Sequence, residues 1–164
     1  MLAGLTTAVV ASSMSSSGMH HPGDMSFLTG TWSCVAKMNA MPGSPAHTEN
    51  DTMTFHPTMN GMWTSQTYVG KGYSGQAYWR WDKATNMLVS VSVDSFGGYG
   101  TSTSKGMMGG NSMTMTGSMT YAGRSTASSD LLTRTSDTKM RHVGKVQMNG
   151  KWMQTDDTVC TKNP

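Results

Sequence analysis

Polar and apolar residues alternate along most of this chain, and no segment sustains the three-to-four-residue spacing of an amphipathic helix. In "SMTMTGSMT", residues 112–120, Met113, Met115 and Met119 fall on one face and Thr114, Thr116 and Thr120 on the other. In "LVSVSVD", residues 88–94, Val89, Val91 and Val93 stand opposite Ser90, Ser92 and Asp94. Successive side chains of a strand point to opposite faces, so this period is that of β-structure. Turn signals separate the runs: "MNGM" at 59–62, "DKATN" at 82–86, "MGGN" at 108–111 and "MNGK" at 148–151. Asn-Gly between alternating runs is the strongest short-range hairpin signal, because both residues tolerate the positive φ of a tight two-residue turn. The pattern predicts an all-β, antiparallel, up-and-down domain of about eight to ten strands.

A sheet of that many strands must close or fold over, because an open edge offers unpaired backbone groups to other chains. Up-and-down closure makes the first and last strands neighbours. The two cysteines lie in the first and last alternating segments, Cys34 in "FLTGTWSC" and Cys160 in "TDDTVCTK". A Cys34–Cys160 disulfide across the seam is expected, against the alternative of two separate buried thiols. Side-chain parity opposes it. With Trp32 inside, Cys34, Ala36 and Met38 are inside too. A two-residue turn at Asn149-Gly150 pairs Val146 with Met153, Met140 with Val159 and His142 with Asp157. That register puts the apolar residues and the His142–Asp157 pair inside, and sends Asp156, Thr158 and Cys160 outward with Lys139 and Arg141. A β-bulge near the strand end would restore agreement.

Composition narrows the function. The 164 residues suit one domain with a real core. Charged residues are only 13%, against about 25% in an average domain. The net charge of +3 comes from singly scattered Lys and Arg, without the concentrated basic footprint of a nucleic-acid binder. Residues 1–25, "MLAGLTTAVVASSMSSSGMHHPGDM", combine a short apolar stretch with small residues, the shape of a secretory leader without its basic start. They are read as a truncated signal peptide or a disordered tail, ahead of a barrel domain at 26–164. Nothing approaches the ~20 apolar residues of a membrane span, and a periplasmic or secreted location is expected. Among 18 methionines, Met19 and Met25 flank His20 and His21 as soft donors for copper. No Cys–x–x–Cys or His–Glu–x–x–His pattern completes a site, and no metal or cofactor is expected.

Gly30-Thr31-Trp32, opening the first strand, resembles the Gly-x-Trp signature of the calycin superfamily, which includes the lipocalins. The resemblance implies an indole plugging the base of the barrel, with a basic residue from a late strand across it: Arg141, or Arg134. "FLTGTWSC", "YWRWDKATNMLVSVSVDSFGGYGTS" at 78–102 and "NGKWMQTDDTVCTK" at 149–162 are similar to a family of bacterial lipocalin-like proteins of unknown function. That resemblance implies a calycin-like barrel and brings no catalytic residue. More distantly, the chain resembles nitrobindin, a haem-binding barrel that also begins with Gly-Thr-Trp. There the haem ligand is a late His, which only His142 matches, and the glycine-rich stretch that follows is replaced here by "SCVAKMN".

The expected function is binding of a small, largely apolar molecule inside the barrel. Met53, Phe55, Tyr68, Met113, Met115, Met140 and Val146 are the expected lining, His142 and Asp157 the polar handle, and Phe96 and Tyr99 the gate of a mouth loop in "SFGGYGTSTSKG". Two alternatives stand beside it: an enzyme using His142–Asp157 as a general base or isomerase dyad, and a haem-binding nitrobindin-like protein.

Overall fold

The computed structural model describes residues 24–107 and 110–164. Met19, His20, His21 and the first two residues of "MGGN" lie outside them. A 3-10 turn at Ser26–Leu28 leads into ten strands: β1 (Gly30–Met38), β2 (His47–Thr58), β3 (Trp63–Gly70), β4 (Tyr73–Asp82), β5 (Met87–Asp94), β6 (Tyr99–Ser104), β7 (Ser112–Tyr121), β8 (Arg124–Ser136), β9 (Lys139–Met148) and β10 (Lys151–Lys162). Each pairs antiparallel with its sequence neighbours, and β1 pairs with β10, which closes an up-and-down barrel without free edges. The Asn149-Gly150 turn has the expected two residues, both at positive φ. The Asn60-Gly61 turn spans four, with Met59, Asn60 and Gly61 all at positive φ.

The β9–β10 ladder, next to the seam, holds the main departure from simple alternation. Val146 pairs with Met153 as expected, but the register shifts between Gln154, which faces Lys145, and Asp156, which faces Gly144. Thr155 is the extra residue of a β-bulge, and every side chain beyond it exchanges faces. Met140 therefore lies opposite Cys160, not Val159, and His142 opposite Thr158, not Asp157. Asp156, Thr158, Cys160 and Lys162 turn inward, while Asp157 and Val159 turn outward. The bulge removes the parity conflict, and Cys34 and Cys160 sit directly opposite each other with S–S 2.02 Å.

Side chains fill one half of the interior. Trp32 is fully buried and its indole N–H donates to the Leu28 carbonyl at 2.7 Å. Around it pack Met25, Leu28, Cys34, Met53, Phe55, Leu88, Met113, Met115, Leu132, Met140 and Cys160. Met25 is thus part of the core rather than a donor in the leader. The cation across Trp32 is Lys162, whose Nζ lies 5.4 Å from the ring centre and donates to the Phe27 carbonyl. Arg141 is on the outer face, paired with Asp157, and Arg134 lies over Phe27 instead. The bulge is the reason, since it brings Lys162 to the inner face. Gly30, at φ +120°, bends the chain into the plug where a side chain would press on the Lys162 stem.

Thiol titration of the unfolded, unreduced protein should find no free cysteine. The Cys34→Ser/Cys160→Ser double variant should unfold about 2–5 kcal/mol more easily, as expected for a cross-link closing nearly the whole chain. Two titratable thiols would remove the covalent seam.

Candidate functional site

At the end opposite the Trp32 plug the inner wall changes character. This upper half is bounded by the loop between β1 and β2 and by the β3–β4, β5–β6, β7–β8 and β9–β10 turns. The register directs Glu49 and Asp51 of β2, Asp94 of β5, Asp130 of β8 and Asp156 of β10 inward. Five of the chain's nine carboxylates therefore face the interior of a protein with a net positive charge. Tyr68, Tyr73, Met119, Tyr121 and His142 share the wall. Ten strands enclose a wider lumen than eight, which side chains can just fill.

His142 is the hub of one side. Its Nδ1–H donates to Asp156 Oδ2 at 3.0 Å and its Nε2–H to Asp130 Oδ1 at 3.1 Å. Asp156 also accepts from the Thr155 and Thr158 hydroxyls. With a carboxylate on each ring nitrogen, both nitrogens act as donors and the ring is an imidazolium. Burial opposes that charge, but the bonds and charges of Asp130 and Asp156 prevail and push the pKa up to about 10. Burial likewise disfavours the Asp156 carboxylate, and the His142 hydrogen bond and charge hold its pKa below the usual range. A Cβ at Gly144 would collide with Asp156 and Thr155, so this glycine makes the room in which the carboxylate meets the imidazole.

On the other side, the Tyr68 hydroxyl donates to Asp51 Oδ2 at 2.6 Å and the Tyr121 hydroxyl to Asp94 Oδ2 at 2.6 Å. Asp94 Oδ1 also accepts from the backbone N–H groups of Phe96 and Gly98. The Tyr73 ring lies 5.2 Å from that of Tyr68 and 5.4 Å from that of Phe96. Burial, together with the charges of Asp94, Asp156 and Glu49, pushes the Tyr73 pKa up to about 12. Burial raises the Asp51 pKa in spite of the Tyr68 bond.

The remaining expected site residues are divided. Met53, Phe55, Met113, Met115 and Met140 face inward as expected but are consumed in the packed half. Tyr68, Val146 and His142 face the upper half. Phe96 is 71% exposed in the β5–β6 turn, beside Tyr73 at the mouth, while Tyr99 points outward. The His142–Asp157 pair is not formed: Asp157 makes a two-point ion pair with Arg141, at 2.7 and 2.6 Å, on the outer surface. Asp130, Asp156, Asp51 and Asp94 were missed. The signal for the last two was present, since Asp94 continues the serine face of β5 and Asp51 the face of Met53 and Phe55.

This barrel has a solved counterpart. The crystal structure of Rv2717c from M. tuberculosis superposes with a TM-score of 0.63, covering 85% of this chain and 94% of that one, at 11% sequence identity. At that identity the likeness concerns the fold. No family model matches the chain, and no curated protein does.

A concavity of about 700 Å³ lies at the lower rim beside Trp63, Trp79, Trp81 and Arg80. Trp79 already donates to Gln66 and Arg80 stacks over Trp63. The nearby Asp82 carboxylate accepts from Ala84 N–H and Thr85. These contacts hold the rim together.

Because the folded pKa of His142 lies above its unfolded value of about 6.5, the triad's contribution to stability is complete below that pH and is lost as pH rises through about 10. NMR of the imidazole should show a charged ring from pH 5 to 8. Asp156→Ala should lower stability by about 1–3 kcal/mol and bring the His142 midpoint down, whereas Asp157→Ala changes little. A ring titrating near 6.5 in the unmodified protein would contradict the triad.

Proposed function

We propose that this protein binds a small molecule in the upper half of the barrel, reached through the end opposite the Trp32 plug. One observation carries the reading. The lower interior is filled by a conventional apolar core, whereas the upper interior is lined by ionisable side chains, of which His142 is 27% exposed. A packed interior has no use for partly wetted charges, while binding sites combine apolar wall with a few placed polar groups. Tyr68, Tyr73, Met119 and Val146 supply apolar surface there. The carboxylates shift the expected ligand from a largely apolar molecule to one carrying polar groups.

The barrel is read as calycin-like, on the strength of Gly30-Thr31-Trp32 at the plug and Lys162 across the indole. An exported protein is proposed from the buried disulfide, which suits an oxidising compartment. The general-base and haem readings both require a free nitrogen lone pair on His142, and both nitrogens are occupied by donation to carboxylates.

Haem added to the purified protein should therefore give no 1:1 Soret complex that is lost in His142→Ala. Native mass spectrometry of the gently purified protein should find a small molecule retained at 1:1. In two-dimensional NMR, its removal should move the signals of Tyr68, Tyr73, Met119 and His142 and leave those of Met113 and Met115 in place. Shifts confined to the lower rim would transfer the site to the Trp63–Trp81 cleft.

A further inference from the structure

The upper interior holds acid without matching base. Among the described residues its one clear cation is the His142 imidazolium, shared between Asp130 and Asp156. Asp94 is satisfied by Tyr121 and two backbone N–H groups. The two basic side chains with inward parity in this half, Arg124 and Lys151, stand exposed at the hairpin tips, and Lys37 and Lys145 point outward. That leaves the β2 carboxylates. Glu49 is 15% exposed, and its one ion pair among the described residues is a long contact with His47 at 4.0 Å, whose charge also reaches Asp51. Asp51 is 4% exposed, and its Oδ1 has no hydrogen-bond partner among the described residues. An unsatisfied buried carboxylate oxygen is costly to maintain, and native folds keep such groups where a ligand or a functional constraint explains them.

We infer that the ligand of the upper interior is an organic cation, an ammonium group on a small apolar or aromatic body, paired with Asp51 and Glu49. This rests on the binding reading above and names its ligand class. An ammonium group supplies up to three N–H donors and the missing positive charge. The Tyr68 and Tyr73 rings, edge to face at 5.2 Å, and the Phe96 ring, tilted against Tyr73 at 5.4 Å, run from Asp51 to the mouth and offer π-faces that attract cations. A bare metal ion fits less well. Calcium takes six to eight oxygens about one point, whereas among the described residues no three acidic, His or Cys side chains converge in that way. Each of these carboxylates instead lies against its own strand neighbour: Asp51 over Gly70 and Asp156 over Gly144, where a Cβ would collide with it.

Three probes of nearly equal shape test the inference on the full chain: phenethylammonium, phenethyl alcohol and 3-phenylpropionate, each followed by NMR titration. The ammonium is expected to shift Tyr68, Tyr73 and His142 signals and to bind at least tenfold more tightly than the alcohol, with the carboxylate weakest. Asp51→Asn, which retains an acceptor for Tyr68, should remove at least tenfold of that preference without lowering the melting temperature. Glu49→Gln, at a more exposed position, should reduce it by a smaller factor and provides the test if the Asp51 variant does not fold. Equal binding of all three probes in the upper half, or preference for the carboxylate, overturns the cation inference and leaves the binding reading standing. Saturable shifts of the same residues with calcium chloride but not with the ammonium also overturn it, in favour of a metal ion. No upper-half shift with any probe defeats both readings.

Discussion

The pairing of β1 with β10 is the constraint on which the rest of the molecule depends. Nine hairpin connections make a ribbon, and only the tenth pairing makes a barrel with an inside. At that seam Cys34 and Cys160 face each other within the core, so the covalent link joins the two strands most distant in sequence. The bulge at Thr155 lets this happen. Without the extra residue, β10 would present Val159 to Met140 and leave Cys160 on the surface. The same single residue delivers Lys162 to the Trp32 plug and Asp156 to His142. Closure of the base, the disulfide and the acidic triad are therefore three consequences of one local irregularity.

The two halves of the interior divide the work of stability and of recognition. Near the plug, Trp32 and the methionines bury apolar surface, and Met suits the irregular space left between strands that cross at an angle. Towards the mouth, glycines at 70, 98, 100 and 144 leave the wall without Cβ atoms, and Asp51, Asp94, Met119 and Asp156 lie in the space they vacate. Small residues there make room for charged ones. Folding accepts the cost of those charges by pairing most of them with hydroxyls or with His142, and the oxygen left over on Asp51 marks where the pairing stops.

The outer surface repeats the point in reverse. Val91 and Val93 of β5 are exposed beside Tyr99, while Ser90 is buried and Ser92 and Asp94 face the lumen. On this strand the apolar face is outside. Alternation defines two faces, but which of them turns inward depends on the register with β4 and β6, whose inward residues are Trp79, Ala77, Ser102 and Gly100.

Alternation, turn residues and the placement of the cysteines determined the fold class, the up-and-down order, the closing pair and the plug, because each rests on local chemistry: strand period, the positive φ of Asn-Gly, and the burial of a large indole after glycine. The inward direction of Met113, Met115 and Met140 was legible on the same grounds. The polar site was not. A bulge has no obligatory residue type, so "QTDDTV" gives no sign that Thr155 is the one omitted from the ladder, and Asp156 and Asp157 are indistinguishable until the strands pair. Asp130, on β8, meets His142 only through the β8–β9 register, and Asp51 lacks its partner only once β2 and β3 enclose it. Those are facts about distances between strands, and only the closed barrel decides them.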